Sequence, residues 1–235
     1  MNGNRNNENG GMSGTLDVSR FPVARRWYHR ALFSCLKSVC RRRLDLRAEG
    51  LENIETGKRY LYCPNHQTFF DGFFVWAALG DKCPKLDNIG GMAKAEHLDH
   101  RLTTFLMKMM GSIPVDRTGD TGGAIQRSID FIKEGHNFMI HPEGTRTKTG
   151  ELGPFKKGAA HIALAAGVTI LPVAISGGFE IWPYNRKRPQ TRDENGRKQV
   201  LTVAFCPEVQ TLGRSAEEIT QEVRDKIERR LGERN

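Results

Sequence analysis

The stretch from Tyr60 to Leu79 constrains this chain more than any other: a short apolar run stops at a proline, a polar turn carries a histidine and an acid, and a longer apolar run follows. Tyr60-Leu61-Tyr62-Cys63-Pro64 has the length and composition of a buried strand. The run from Phe69 to Leu79 is long enough for a helix. Asn65-His66-Gln67-Thr68-Phe69-Phe70-Asp71 therefore spans a strand-to-helix turn, where a rigid scaffold can present a reacting side chain.

On one continuous helix, positions five apart differ by about 140°, so His66 and Asp71 would not share a face. They meet if His66 precedes the helix and Thr68 or Asn65 caps it, with Asp71 in the first turns. Asp71 then accepts an imidazole N–H, which fixes the tautomer and leaves the other ring nitrogen as a proton acceptor. A capping aspartate beside a surface histidine would use the same two residues. Taken alone, the pair leaves both readings open.

The rest of the chain repeats the alternation. Strands are expected at Ile89–Ala93, at Ile113-Pro114-Val115, and at Phe138–Ile140, Thr169–Ile175 and Val200–Phe205. Helices are expected at Glu96–Met110, Ala124–Lys133, Gly158–Ala166 and Ser215–Leu231, the last with Ser215 as its cap and Glu218 three residues on. Strands alternating with helices argue an α/β fold: a single domain with a mainly parallel central sheet flanked by helices. The stretch Arg186 to Lys198 lacks apolar periodicity and reads as an exposed loop. At 235 residues the chain can bury one substantial core.

In parallel α/β sheets, ligands bind beyond the carboxyl ends of the strands. Gly111 to Arg117 closes one strand with Asp116-Arg117, and His141-Pro142-Glu143-Gly144-Thr145-Arg146 follows another. Three strands would thus deliver His66 with Asp71, Arg117, and Glu143 with Arg146 to one edge. Two arginines converging there suit a phosphate. Taken singly, each arginine also fits a surface ion pair.

Charge is spread unevenly. Residues 1–50 hold ten Lys/Arg against four Asp/Glu, so they carry six of the nine net positive charges. Such asymmetry points to an anionic partner, a membrane surface or a nucleic acid. Residues 1–17 begin with an Asn- and Gly-rich stretch and read as a disordered tail. Residues 18–48 read as a basic amphipathic helical segment, with Val23, Trp27, Leu32, Leu36 and Val39 interleaved among arginines. That segment either packs on the domain or lies on anionic lipid with Trp27 and Tyr28 at headgroup level. The remainder, 49–235, is the expected catalytic domain. Five cysteines without a CxxC pair suggest neither a disulfide framework nor a zinc site. No window approaches 18 continuous apolar residues, so no simple transmembrane helix is expected.

Four blocks in order resemble a known family, the glycerolipid acyltransferases typified by 1-acylglycerol-3-phosphate acyltransferase. Asn65, His66 and Asp71 match its N-H-x-x-x-x-D block, Gly111 to Arg117 its G-x-[IV]-x-[VF]-D-R block, and Pro142 to Arg146 its P-E-G-T-R block. Ile170-Leu171-Pro172-Val173 matches a fourth, apolar block, and Ala93-Lys94-Ala95-Glu96 resembles the family's A-K-x-E. His141 departs from the pattern, since the family usually has a bulky apolar residue there. By resemblance it shapes the pocket and bears on acceptor preference.

The resemblance implies transfer of an acyl group from acyl-CoA or acyl carrier protein to the sn-2 hydroxyl of lysophosphatidate, giving phosphatidate. His66 would be the general base and Asp71 its orienting partner. Arg117, Glu143, Gly144, Thr145 and Arg146 would bind the acceptor, with Lys94 a further phosphate contact, an amide near Gly144 at the oxyanion, and Pro172 at the acyl chain. Glu143 would orient an arginine or the glycerol hydroxyl. No cofactor is implied beyond the acyl donor, and no metal; His97 and His100 read as solvated. The expected partners are the lysophospholipid, the acyl donor and an anionic membrane surface, met peripherally from the cytoplasmic side. Another lysophospholipid or a lyso-aminolipid as acceptor, or a non-catalytic membrane lipid-binding protein, are the alternatives. Nucleic acid is not expected: no nucleic-acid motif accompanies the basic stretches.

Overall fold

All five residues of Tyr60–Pro64 are buried, as a strand covered on both faces requires. The computed structural model describes residues 34–35, 37–80, 89–94, 112–115 and 121–233. Its strands are β1 (Asp45–Glu49), β2 (Tyr60–Pro64), β3 (Ile89–Lys94), β4 (Ser112–Val115), β5 (Asn137–Met139), β6 (Thr169–Ser176) and β7 (Val200–Phe205). Its helices include α1 (Asp71–Leu79), α2 (Thr121–Lys133), α3 (Gly158–Ala166), α4 (Gly178–Ile181) and α5 (Ala216–Gly232). The expected helix at Glu96–Met110 and most of the basic segment 18–48 lie outside the described residues.

The seven strands form one sheet in the order β1-β7-β6-β2-β5-β3-β4. Every neighbouring pair is parallel except β6 with β7. Period-two alternation sorts the side chains into two layers. Tyr60, Tyr62, Leu171, Val173 and Ile175 pack with Phe73, Phe74 and Trp76 of α1. Leu61, Cys63, Ile170 and Ala174 pack with Ile132 of α2, Ile162 of α3, and Ile219, Val223 and Ile227 of α5. Each fully buried Leu, Ile or Phe contributes about 1.5–3 kcal/mol. The result is a sheet sandwiched between helices, with β2 near its centre.

Helix α5 shows why its sequence folds as read. Ile219, Val223 and Ile227 recur every four residues and are buried, while Ser215 and Glu218 form a reciprocal capping box. One boundary needs correcting. Residues 45–48 belong to β1, which pairs with β7, and not to a helical segment running to 48. The apolar alternation of Asp45-Leu46-Arg47-Ala48-Glu49 is too weak to announce an edge strand. Pro172 lies inside β6 because the ladder ends beside it. Cys206 N donates to Pro172 O (2.9 Å), proline has no N–H to return, and β7 stops at Phe205.

Candidate active site

The turn after β2 is fastened on three sides. The Asn65 side chain reaches β6, its Nδ2 donating to Ile175 O (3.0 Å) and its Oδ1 accepting from Ile175 N (2.7 Å). Next to it, His66 N donates to Glu143 Oε1 (2.7 Å), and His66 O accepts from Thr147 N (2.8 Å). The Gln67 Oε1 atom accepts from Gly178 N (2.9 Å) and Phe179 N (3.2 Å) at the start of α4. Backbone and side chains together hold the histidine in place.

His66 Nδ1 lies 2.9 Å from Asp71 Oδ2, so the two residues do meet across the turn. The imidazole is 20% exposed and the carboxylate 0%. The capping arrangement differs from the expected one. Neither Thr68 nor Asn65 caps α1, whose N-cap is Phe70 without a side-chain bond. Asp71 reaches back instead, its Oδ2 accepting from Gln67 N (2.6 Å) and Thr68 N (2.8 Å) and its Oδ1 from the Thr68 hydroxyl (2.7 Å). Thr68 Oγ1 in turn accepts from Phe70 N (3.0 Å). An acid at N1 satisfies the turn better than a cap could, because one carboxylate takes four donors. Burial pushes the Asp71 carboxyl up to about 6, against the pull of nearby His141 and of the Thr68 and Gln67 donors. At neutral pH it remains an anion, and an anion only accepts. Nδ1 therefore carries the proton and the lone pair of His66 lies on Nε2.

His141 stacks on His66 with ring centroids 3.8 Å apart and planes 13° from parallel. Its Nδ1 lies 3.2 Å from both Pro64 O and Asn65 O. Carbonyls only accept, so this nitrogen too carries a proton. Burial, reinforced by the facing His66, pushes His141 down to about 3. It stays uncharged at any working pH and serves as a flat platform, the part a bulky apolar residue would take.

Among the described residues, Glu143 makes no ion pair with an arginine. Its oxygens accept from His66 N and from Gly153 N (2.9 Å), and burial raises its carboxyl above the usual carboxylate range. It fastens two backbone segments, and at Gly153 a Cβ would come within 2.8 Å of Glu143 Oε2. Gly144 has φ +70°, and its N donates to His141 O (3.0 Å) to close the P-E-G-T-R turn. That amide closes the turn. Thr145 is exposed, and the Arg146 guanidinium lies 4.7 Å from the Tyr184 ring centroid.

The structure thus brings together His66, Asp71, Glu143 and the 144–146 turn. Lys94 ends β3 beside Val115 of β4, at the same sheet edge as the ends of β2 and β5. Arg117, His97 and His100 lie outside the described residues. Pro172 does not join the turn: it shares strand parity with Ile170 and Ala174, which face α3 and α5. His66, Asp71 and His141 bring ligand-type atoms within 4.8 Å of one another. Asp71 already accepts from four donors and both Nδ1 atoms carry protons, which leaves a lone pair on Nε2 of each ring.

Two supports of the turn escaped the sequence reading. Gln67 carries no signal of its own, but Gly177-Gly178 directly after β6 was visible. Gly177 has φ +84°, and a Cβ on Gly178 would lie 2.9 Å from Gln67 Oε1. A glycine pair at a strand end marks a close approach.

Residues 45–176, more than half of the chain, match the acyltransferase family. A chloroplastic 1-acyl-sn-glycerol-3-phosphate acyltransferase of Brassica napus is 33% identical over 138 residues, covering 57% of this chain and 38% of that protein. A 1-acyl-sn-glycerol-3-phosphate acyltransferase of Limnanthes douglasii is 30% identical over 174 residues, 72% of this chain and 56% of that one. The chain thus spans roughly two-fifths to three-fifths of the length of these curated relatives. The crystal structure of PlsC, the 1-acyl-sn-glycerophosphate acyltransferase of Thermotoga maritima, superposes with a TM-score of 0.72 at 22% identity. That match covers 89% of this chain and 82% of that one, a likeness of fold.

Proposed function

Because the chain belongs to the acyltransferase family, we propose that it moves a fatty acyl group from a thioester, acyl-CoA or acyl carrier protein, to the sn-2 hydroxyl of lysophosphatidate. The observation that carries this reading is the His66–Asp71 pair, with Nδ1 held 2.9 Å from a fully buried carboxylate. An alcohol needs a base to attack a thioester at neutral pH, and His66 Nε2 takes its proton as the C–O bond forms. Asp71 keeps the tautomer and stabilises the imidazolium. As the C–S bond breaks, His66 returns the proton to the leaving thiolate, so no acyl-enzyme is needed. Mere lipid binding would not need a base presented this way.

Arg146, Arg117 and Lys94 are the cations assigned to the acceptor's phosphate, a role that suits fixed positive charge. Glu143 and Gly144 contribute by holding the turn rather than by touching substrate. The catalytic part works at a membrane surface without crossing it. Among the described residues, no helix is long and apolar enough to span a bilayer.

The test is transfer of labelled oleoyl groups from CoA and from acyl carrier protein to lysophosphatidate, comparing the natural chain with His66→Ala. Phosphatidate from the natural chain and a loss of on the order of 10²–10⁴-fold in the variant is the expected result. Equal rates in both would remove His66 from the mechanism. No product from either donor, followed by product with another lysolipid, would change the acceptor.

A further inference from the structure

The described cations differ in how far they are paired from one surface to another. On and around α5 they meet acids: Lys58 with Glu208 (2.6 Å), Arg214 with Glu222 (2.5 Å), Lys226 with Glu222 (3.0 Å), Arg230 with Glu49. By contrast, no cation of 41–43, 146–148 or 186–198 is in an ion pair among the described residues. Segment 186–198 has six Lys/Arg and two Asp/Glu. One of those acids, Asp193, is used by its own turn, accepting from Asn195 N (2.9 Å) and Arg197 N (2.8 Å).

These segments are joined in space. Lys198 Nζ donates to Arg41 O (3.1 Å), tying the loop to the helical residues 37–43. At the loop's other end, Tyr184 lies under Arg146, and Trp182 stacks on Phe70 of the catalytic turn with centroids 5.2 Å apart. One basic surface therefore runs from 41–43 along the loop to the rim of the active site.

Apolar side chains are exposed on the same segments. Of four exposed large hydrophobics among the described residues, Val39 (50%), Tyr184 (51%) and Val200 (38%) lie on or directly beside them, and Leu212 lies elsewhere. Unpaired cations repel one another and gain only when an external anion arrives. Single apolar side chains dispersed among cations fit a lipid interface, which takes each one separately. A folded protein partner is better served by one central apolar cluster, and among the described residues the exposed large hydrophobics of this surface stand singly.

We propose that loop 182–198, together with the end of helix 37–43, is the surface by which the protein rests on an anionic bilayer. Resting there, it turns the His66 site toward its acceptor. This builds on the reading of the acceptor as a membrane lipid.

The test uses the full chain, sedimented with phosphatidylcholine vesicles that contain or lack phosphatidylglycerol. It compares the natural sequence with Lys187→Glu, Arg188→Glu and Arg197→Glu combined. None of these three side chains makes a hydrogen bond among the described residues, and a thermal melt checks that the variant folds. Each basic residue near such a surface contributes about fivefold, so the triple reversal, which also adds three anions, should weaken binding to anionic vesicles by at least about a hundredfold. Turnover of a monomeric short-chain acceptor should remain. Undiminished vesicle binding by a folded variant would overturn the proposal. So would a defect confined to carrier-protein donors, which would assign the loop to an acidic protein. Sedimentation needs no turnover, so this surface and the proposed reaction can fail separately.

Discussion

On α5, charge is neutralised within the chain: Arg214 and Lys226 share Glu222, Arg224 reaches Glu228, and Arg230 lies between Glu49 and Glu233. At the His66 turn, one buried carboxylate faces an imidazole, a second imidazole stays uncharged, and the nearby cations Arg146 and Lys148 lean on Tyr184 instead of an acid. Partly exposed pairs like those on α5 contribute roughly 0–1 kcal/mol each, because water competes for both partners. The buried groups of the turn have no water to return to, and each lost partner leaves an unsatisfied atom. Charges on α5 are expected to tune stability, and those at the turn, on the proposed mechanism, the rate.

That contrast is sharpest at Asp71. Asp71→Asn should lower kcat by roughly 10³–10⁴-fold, since an amide no longer fixes the tautomer of His66, with little change in KM for either substrate. Steady-state kinetics check both numbers. The pH profile of the natural chain should fall on the acid side of about 6, as the carboxylate facing His66 takes up a proton. The stability sign runs the opposite way. A carboxyl raised from 3.8 holds its proton more tightly in the folded chain, so its contribution is fully present below about 4 and is lost as pH rises through about 6. Melting the natural chain and Asp71→Asn side by side across that window should show the slope only in the former.

His141 tests whether the platform must be neutral. His141→Phe keeps a flat uncharged ring and should retain kcat within about threefold, because a neutral aromatic face still suits an imidazolium. His141→Lys sets a fixed cation against the imidazolium that forms during transfer. It should cost at least about a hundredfold, in line with about 4 kcal/mol between unit charges at that separation. Similar rates in the two variants would show that charge at this position is irrelevant.

Smaller effects follow in stability. Asn65→Ala strands the main-chain groups of Ile175 in the sheet interior and should lower unfolding free energy by about 2–3 kcal/mol in urea titration. Lys226→Gln on α5 should cost under about 1 kcal/mol and leave the rate unchanged. A large rate effect from Lys226→Gln would break the division between the two regions.

Much of this was legible in the chain. Buried strands with continuous apolar runs, such as Tyr60–Pro64 and Thr169–Ser176, announce themselves, as do helices with a clean apolar period such as α5. Strand β1 did not, because an edge strand whose five residues include the charged Asp45, Arg47 and Glu49 has little apolar signal. The meeting of His66 and Asp71 was foreseeable from their five-residue spacing and the turn between them. The direction of the cap was not, since a carboxylate at N1 and a threonine before it can each accept from the other's neighbours. The link from Glu143 to His66 N joins residues 77 apart, which no local pattern encodes. For the same reason, the charge imbalance of residues 1–50 pointed to one end of the chain, while folding brings loop 182–198 beside Arg41.

Gln67 points one way with its backbone and the other with its side chain. Its amide belongs to the Asp71 turn, and its side-chain oxygen holds the start of α4, from which loop 182–198 departs. The height of His66 above that loop is therefore fixed by covalent lengths and three hydrogen bonds. If the protein rests on a bilayer by loop 182–198, as proposed, this strut would act as a depth gauge, setting how far an acceptor's hydroxyl must rise from the headgroup layer to meet His66.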